Sequence, residues 1–201
     1  YPIADSTKIA IGTAYDFSDN ETNNRTWNYN EITGEYDQIN NNLTRFYSTK
    51  QNQINPYAQF LLNKSKLSAA VKVGANIYNQ DNFGIFKSTD YNSIQNKTLP
   101  NLEGNIRYQS GNNSLSLQYN YQTSLASSSQ VLPILDETDP LDVYKGNPDL
   151  DPNKAHNINL MFSNFDRKTR QGFNTFLSYT YNESSIVNFT DMDYISYKRT
   201  T

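Results

Sequence analysis

The sequence predicts an antiparallel all-β meander of about ten strands. Apolar and polar residues alternate along many short stretches, and clusters of Asn, Gly, Ser and Asp separate these stretches. No stretch repeats its apolar residues with the period of a helix. Neither a shift in composition nor an exact internal repeat marks a boundary, so residues 1–201 are expected to form a single domain.

The N-terminal part of the chain supplies five candidate strands. Each carries β-branched or aromatic residues and is bounded by residues that favour turns. They are residues 7–17, 25–33, 43–50, 57–63 and 66–79. The stretch that follows, residues 79–98, is rich in Asn, Asp and Ser and is predicted to form a long polar loop.

The C-terminal part supplies five more candidate strands, with the clearest alternation of the chain. They are residues 101–109, 113–122, 155–164, 171–182 and 184–197. The short turn QSGNNS joins the first two as a hairpin. In the second of these strands every other residue is apolar, and this parity consists of Leu115, Leu117, Tyr119 and Tyr121.

Composition excludes several classes of protein. The formal net charge of −3 and the lack of a basic cluster argue against a nucleic-acid surface. The chain has no cysteine, which excludes disulfides and cysteine metal sites. No stretch approaches the roughly 18 consecutive apolar residues of a membrane-spanning helix. A β-barrel that spans a membrane remains compatible with the sequence.

Strands with one apolar and one polar face suit two architectures. A soluble barrel or sandwich buries the apolar face, whereas an outer-membrane barrel turns it towards lipid and turns the polar face towards the lumen. The 16 tyrosines against one tryptophan favour the membrane barrel, as do stretches long enough for the roughly 9–11 residues of a transmembrane strand. The alternation itself fits both.

Residues 131–160, VLPILDETDPLDVYKGNPDLDPNKAHNINL, carry a motif of prolines, acids and a GNP core. This stretch resembles a pattern of the outer-membrane β-barrel family of TonB-dependent receptors found in Bacteroidetes, and the flanking strands extend the resemblance over most of residues 43–190. The matching residues are Pro133, Asp136, Asp139, Pro140, Leu141, Gly146, Asn147, Pro148, Leu150, Pro152, His156 and Asn157.

The resemblance implies that the chain is part of a transmembrane β-barrel in the outer membrane of a Gram-negative bacterium. It implies a wall segment of a receptor that imports a bulky nutrient, such as a glycan, a peptide or a metal chelate. The implied partners are outer-membrane lipid, the TonB system and a surface lipoprotein. TonB would act through a plug domain that is absent from this chain, so we expect an internal barrel fragment. Neither a catalytic activity nor a cofactor is expected.

The GNP motif itself is predicted to be a structural connector between the hairpin at 101–124 and the hairpin that begins at 155. Pro148 and Pro152 lack backbone donors and restrict φ, and Asn147 before a proline favours extended backbone. Gly146 is expected to supply permissive dihedral angles. The neighbouring acids suggest a Ca²⁺ site as the alternative, but no D-x-[DN]-x-[DN]-G loop supports a metal there.

Candidate ligand contacts are aromatic residues in and beside the predicted loop. They can stack on a ligand and donate hydrogen bonds to it, and they are Tyr78, Phe83, Phe86 and Tyr91. No nucleophile motif or second histidine beside His156 points to catalysis or to a metal.

A secreted, soluble β-sandwich that binds carbohydrate or acts in adhesion remains the alternative function. It predicts that the apolar parity of residues 113–122 is buried against a second sheet. The receptor predicts that the same parity faces outward.

Overall fold

The computed structural model of the protein describes residues 2–4, 6–139, 141–193 and 198–200. In chain order the elements are β1 (Pro2–Ala4), β2 (Thr7–Asn24), β3 (Trp27–Asn30), β4 (Glu35–Ile39), β5 (Arg45–Asn63), β6 (Leu67–Phe86), β7 (Thr89–Ser110), β8 (Asn113–Ser124), α1 (Ser128–Val131), β9 (Leu135–Asp139), β10 (Asp142–Lys145), β11 (Asn153–Asp166), β12 (Gln171–Ser184), β13 (Asp191–Asp193) and β14 (Lys198–Thr200).

The main element is an eight-stranded sheet with the order β1-β2-β5-β6-β7-β8-β11-β12. Its neighbouring strands are all antiparallel, which confirms the predicted all-β meander. Within the described residues this sheet is open, with β1 and β12 at its edges. The other strands form a four-stranded sheet, β13-β14-β10-β9, and the hairpin β3-β4. No helix in the described part of the chain is long and apolar enough to cross a membrane.

The prediction of a long loop at residues 79–98 is wrong. Strand β6 runs through to Phe86 and β7 begins at Thr89, so a two-residue turn joins them. Both turn residues have positive φ, 50° at Lys87 and 60° at Ser88, as tight hairpin turns require. Polar residues occupy both faces here, so backbone pairing holds the strands together without any apolar alternation in the sequence.

Several other predicted boundaries also change. The candidate strands 43–50 and 57–63 are parts of the single strand β5, which contains Pro56. Paired positions of β5 and β6 skip from Ile54 to Tyr57, which accommodates a residue that has no backbone donor. The helix α1 has only four residues, too few to produce a helical period in the sequence.

The two ends of the sheet differ in their connections. Residues 64–66, 111–112 and 167–170 are short turns, and all three lie at the same end. Much longer connections, residues 25–44 and 125–152, lie at the opposite end, together with the two-residue turn at 87–88. We call these the short-turn end and the long-loop end.

The two faces of the sheet differ in chemistry. We call the face that carries Tyr47, Gln80 and Phe86 the inner face, and the opposite face the outer face. One row of residues across the inner face consists of amides. Asn105 of β7 lies opposite Gln118 of β8, which lies opposite Asn159 of β11. The adjacent outer row is entirely apolar, and its members from β7 to β12 are Ile106, Leu117, Leu160 and Leu177.

The outer face near the short-turn end is open to its surroundings. Leu115 is 40% exposed and Leu117 is 37% exposed. Tyr121 is buried by groups of the same face, since its ring lies 4.7 Å from that of His156 and its hydroxyl donates to Glu183 Oε2 at 2.8 Å. The burial of the leucines against a second sheet, which a soluble sandwich requires, is therefore not found.

Candidate functional site

The GNP motif lies in a folded insert on the inner face, residues 125–152, which we call the inner segment. It leaves the main sheet after β8 and returns at β11, and these two strands are direct neighbours that pair Ser124 with Asn153. The motif therefore joins adjacent strands through a long excursion. Within the inner segment, β9 and β10 pair as a small hairpin.

Apolar side chains attach the inner segment to the wall. Leu132 and Ile134 are buried and form one hydrophobic cluster with Tyr47 and Phe86 of the wall. Gly84 leaves the space that this packing needs, because a Cβ on Gly84 would lie 2.7 Å from Leu132 Cδ1. This cluster of buried apolar side chains lies between the wall and the insert, so the inner segment contributes part of the core.

Polar contacts reinforce the attachment at the start and in the middle of the inner segment. Arg45 of β5 forms an ion pair with Asp136. Gln80 Nε2 donates to the carbonyl of Ala126 at 2.8 Å, and the Tyr78 hydroxyl donates to the carbonyl of Thr123 at 3.2 Å. These bonds join side chains of the wall to backbone of the insert and its approach, so the position of the insert depends on the wall.

Gly146 serves a different purpose from the one predicted. Positive φ occurs at Gly34 and Gly111 among the described glycines, so the expected need for permissive dihedrals at Gly146 is wrong. Its backbone packs directly on α1, where an added Cβ would collide with the carbonyl oxygen of Leu132. The next residue, Asn147, donates its N–H to the carbonyl of Gln130 at 2.7 Å. The glycine is required for space.

The other motif residues shape turns or pack. Asn147 Oδ1 accepts from the N–H of Asp149 at 2.9 Å, and Asp139 Oδ1 accepts from the N–H of Leu141 at 2.9 Å. Both contacts are side-chain-to-backbone turns that a short Asn or Asp favours. Pro152 is buried and Leu150 is half-buried, whereas Pro133 and Pro148 are exposed. Pro140 lies outside the described residues.

The four aromatic residues predicted to contact a ligand do not form one surface. Tyr78 and Phe86 are buried on the inner face, Phe86 belongs to the hydrophobic cluster with the inner segment, and Tyr91 packs against that cluster. Phe83 lies on the outer face, 6.1 Å from the ring of Phe46. Their contact with a ligand stays a prediction.

A polar cleft that the sequence did not predict lies between the inner segment and the wall. The cleft has a volume of about 410 Å³. The wall contributes Asn20, Thr22, Asn24, Tyr47, Thr49, Gln51 and Gln80, and the inner segment contributes Leu125, Ala126, Ser127, Ser128 and Ser129. We call this the serine cleft. The signal in the sequence was the run of polar residues on both sides, which predicts loops as readily as a lined cavity.

A second cavity opens on the inner face towards the short-turn end. Its volume is about 780 Å³, and amides and hydroxyls of β7, β8 and β11 line it together with Arg107 and Arg167.

No group of three or more His, Asp or Glu side chains in the described part of the chain is arranged to hold a metal ion. In the inner segment, burial raises the pKa of the Tyr144 hydroxyl above its ordinary value, so this hydroxyl stays protonated near neutral pH.

Comparison with known proteins identifies the family. Residues 1–200 match the model of a family described as outer membrane protein beta-barrel family. No curated protein and no solved structure matches the chain significantly. An inner face of amides and an outer face of exposed apolar residues agree with the wall of such a barrel. The chain belongs to the outer membrane protein beta-barrel family and is a protein of the outer membrane.

Proposed function

We propose that the chain is a wall segment of a TonB-dependent receptor that imports a bulky nutrient and catalyses no reaction. The observation that carries the proposal is the inner segment, because its receptor-like GNP motif folds onto the inner face beside an open polar cleft. A receptor needs a shaped, polar lumen that holds its ligand, and an insert folded onto the inner face gives the lumen such a shape.

The outer face is proposed to contact outer-membrane lipid. Towards the long-loop end of β8, β11 and β12, the apolar residues of this face give way to an aromatic cluster. In this cluster His156 stacks on Tyr119 and Tyr181. Just beyond it, Lys154 pairs with Glu183 at 3.4 Å. Aromatic rings followed by charges are typical of the boundary between acyl chains and head groups. We propose that the long-loop end faces outside the cell, since outer-membrane barrels have short periplasmic turns and longer extracellular loops.

The partners follow from this orientation. A surface lipoprotein would reach the ligand at the long-loop end, where the serine cleft and the inner segment lie. Energy would come from TonB acting through a plug domain at the periplasmic side. The arginine-bearing cavity at the short-turn end offers polar side chains to such a domain.

Growth on bulky nutrients tests the receptor function. A strain without the gene and a strain without TonB should both lose growth on the same nutrient, supplied as the sole source of carbon, nitrogen or iron. Growth on glucose, which porins admit, is the control and should not change. If the gene is needed for a nutrient that still enters without TonB, the proposal is wrong.

A matched pair of lysine substitutions tests which face meets lipid. Leu117 and Gln118 are neighbours in β8 on opposite faces. We expect Leu117→Lys to lower the free energy of unfolding in phospholipid vesicles by about 2–4 kcal/mol, because a charge then lies in hydrocarbon. Gln118→Lys should cost less than about 1 kcal/mol, because the inner face is wet. Urea titration followed by tryptophan fluorescence measures both, and equal costs would contradict the assignment of the faces.

A further inference from the structure

The serine cleft contains many hydrogen-bonding groups and no charge. Its lining of amides, hydroxyls and one tyrosine includes no Asp, Glu, Lys or Arg. A charged ligand would lose its hydration in the cleft without gaining a counter-charge, which is unfavourable. The lining therefore selects against metal chelates and peptides with a net charge.

Several of these polar groups have no partner within the described part of the chain. The side chains of Asn20, Thr22 and Gln51 make no hydrogen bond there. Each amide presents a donor and an acceptor side by side, and each hydroxyl can act as either. Adjacent hydroxyl groups on a sugar ring need this combination, since every hydroxyl both donates and accepts.

The cleft is held in shape before any ligand arrives. Gln80 is only 2% exposed, and its Nε2 donates to Asn82 Oδ1 at 2.9 Å and to the Ala126 carbonyl at 2.8 Å. These two bonds use both protons of the amide and hold the Gln80 side chain in place between the wall and the insert. On the opposite side, the N–H of Ser127 donates to Gln130 Oε1 at 3.0 Å, which fixes the helical turn. Preorganised groups lose little entropy on binding.

We propose that the serine cleft binds a short stretch of uncharged carbohydrate. Tyr47 joins the apolar cluster and also lines the cleft, so the lining includes one aromatic side chain beside the polar groups. The volume of about 410 Å³ lies within the usual range for small-molecule sites. This inference names the substrate class of the proposed receptor and rests on that function, but its test measures binding without transport.

Titration calorimetry of the intact outer-membrane protein in detergent micelles tests the proposal. The probes are the neutral trisaccharides maltotriose, cellotriose, xylotriose and mannotriose, with the charged peptide trilysine and the charged chelate ferric citrate as other classes. We expect one trisaccharide to bind and the other two classes not to bind. Binding of trilysine or of the chelate at this cleft, or of no trisaccharide, would overturn the proposal.

Variants locate the binding site. Gln51→Ala and Asn20→Ala should each weaken trisaccharide binding about tenfold, because each removes a donor and an acceptor. The matched control is Asn92→Ala, an exposed amide on the outer face of the same wall, which should leave the Kd unchanged. Unchanged affinity in both cleft variants would overturn the assignment, even where growth still depends on the gene and on TonB.

Discussion

Gly146→Ala is expected to detach the inner segment from the wall. The new methyl group would collide with the carbonyl oxygen of Leu132, and α1 cannot move away without losing the burial of Leu132 and Ile134. Forcing a carbon into a packed backbone contact costs about 3 kcal/mol. Because Asn147 bonds to Gln130 from the adjacent position, that hydrogen bond should be lost as well.

Limited trypsin digestion measures this detachment. Lys145 is exposed but lies within β10, so cleavage after it requires that the inner segment opens. We expect cleavage to become faster by about a hundredfold, which corresponds to about 3 kcal/mol. Gly104→Ala is the matched control, because a Cβ there would meet only Tyr119 Cβ at 3.9 Å. Equal digestion of Gly146→Ala and the unsubstituted protein would show that the contact is not required.

Arg45→Met is expected to cause the second large loss of stability. It removes the guanidinium partner of Asp136, a carboxylate of the inner segment with 11% side-chain exposure. Removal of one partner of a buried ion pair lowers the free energy of unfolding by about 3–5 kcal/mol. Because the Arg45 side chain is 26% exposed, we expect a loss at the lower end of this range. Urea unfolding should show the loss as a lower midpoint, and trypsin should cut faster after Lys145.

Two further variants separate the buried charge from the packing. The double variant Arg45→Met with Asp136→Leu should recover most of the loss, since apolar groups of similar size need no partner. The single and the double variant both remove the Arg45 Nε–H, which is buried and makes no hydrogen bond in the described structure, so its loss does not separate them. Lys72→Met breaks the more exposed pair with Glu103 and should cost less than about 1 kcal/mol. If the double variant is no more stable than Arg45→Met, the ion pair is not the source of the effect.

The predicted alternation survived in the strands near the short-turn end. In residues 113–122 and 171–182 every other residue is mostly apolar, and alternate residues of a strand lie on the same face. The apolar face of these strands therefore does not depend on the rest of the fold. Residues 79–98 have no such face, so their pairing as β6 and β7 was not visible. These residues form strands because their backbone groups pair with those of the neighbouring strand. The alternation of side chains along the sequence does not show this pairing.

The role of the GNP motif was only half predictable. Its prolines and its Asn147 turn follow from local backbone chemistry, and a structural role was predicted from them. The reason for Gly146 was not local, because the atom that excludes a side chain belongs to Leu132, fourteen positions earlier in the chain. Dihedral freedom was the natural explanation from sequence, but close approach is the actual one.

The sequence by itself determined an antiparallel β chain with two unlike faces and a family-specific motif, because periodicity and turn chemistry act between near neighbours. Tertiary structure decided which face the inner segment covers, which aromatic residues are buried and where the serine cleft lies. Those features depend on contacts such as Arg45 with Asp136 and Gln80 with Ala126, which join residues 91 and 46 positions apart. Contacts at such separations form only when the sheet brings distant residues together, and a pattern of neighbouring residues does not record them.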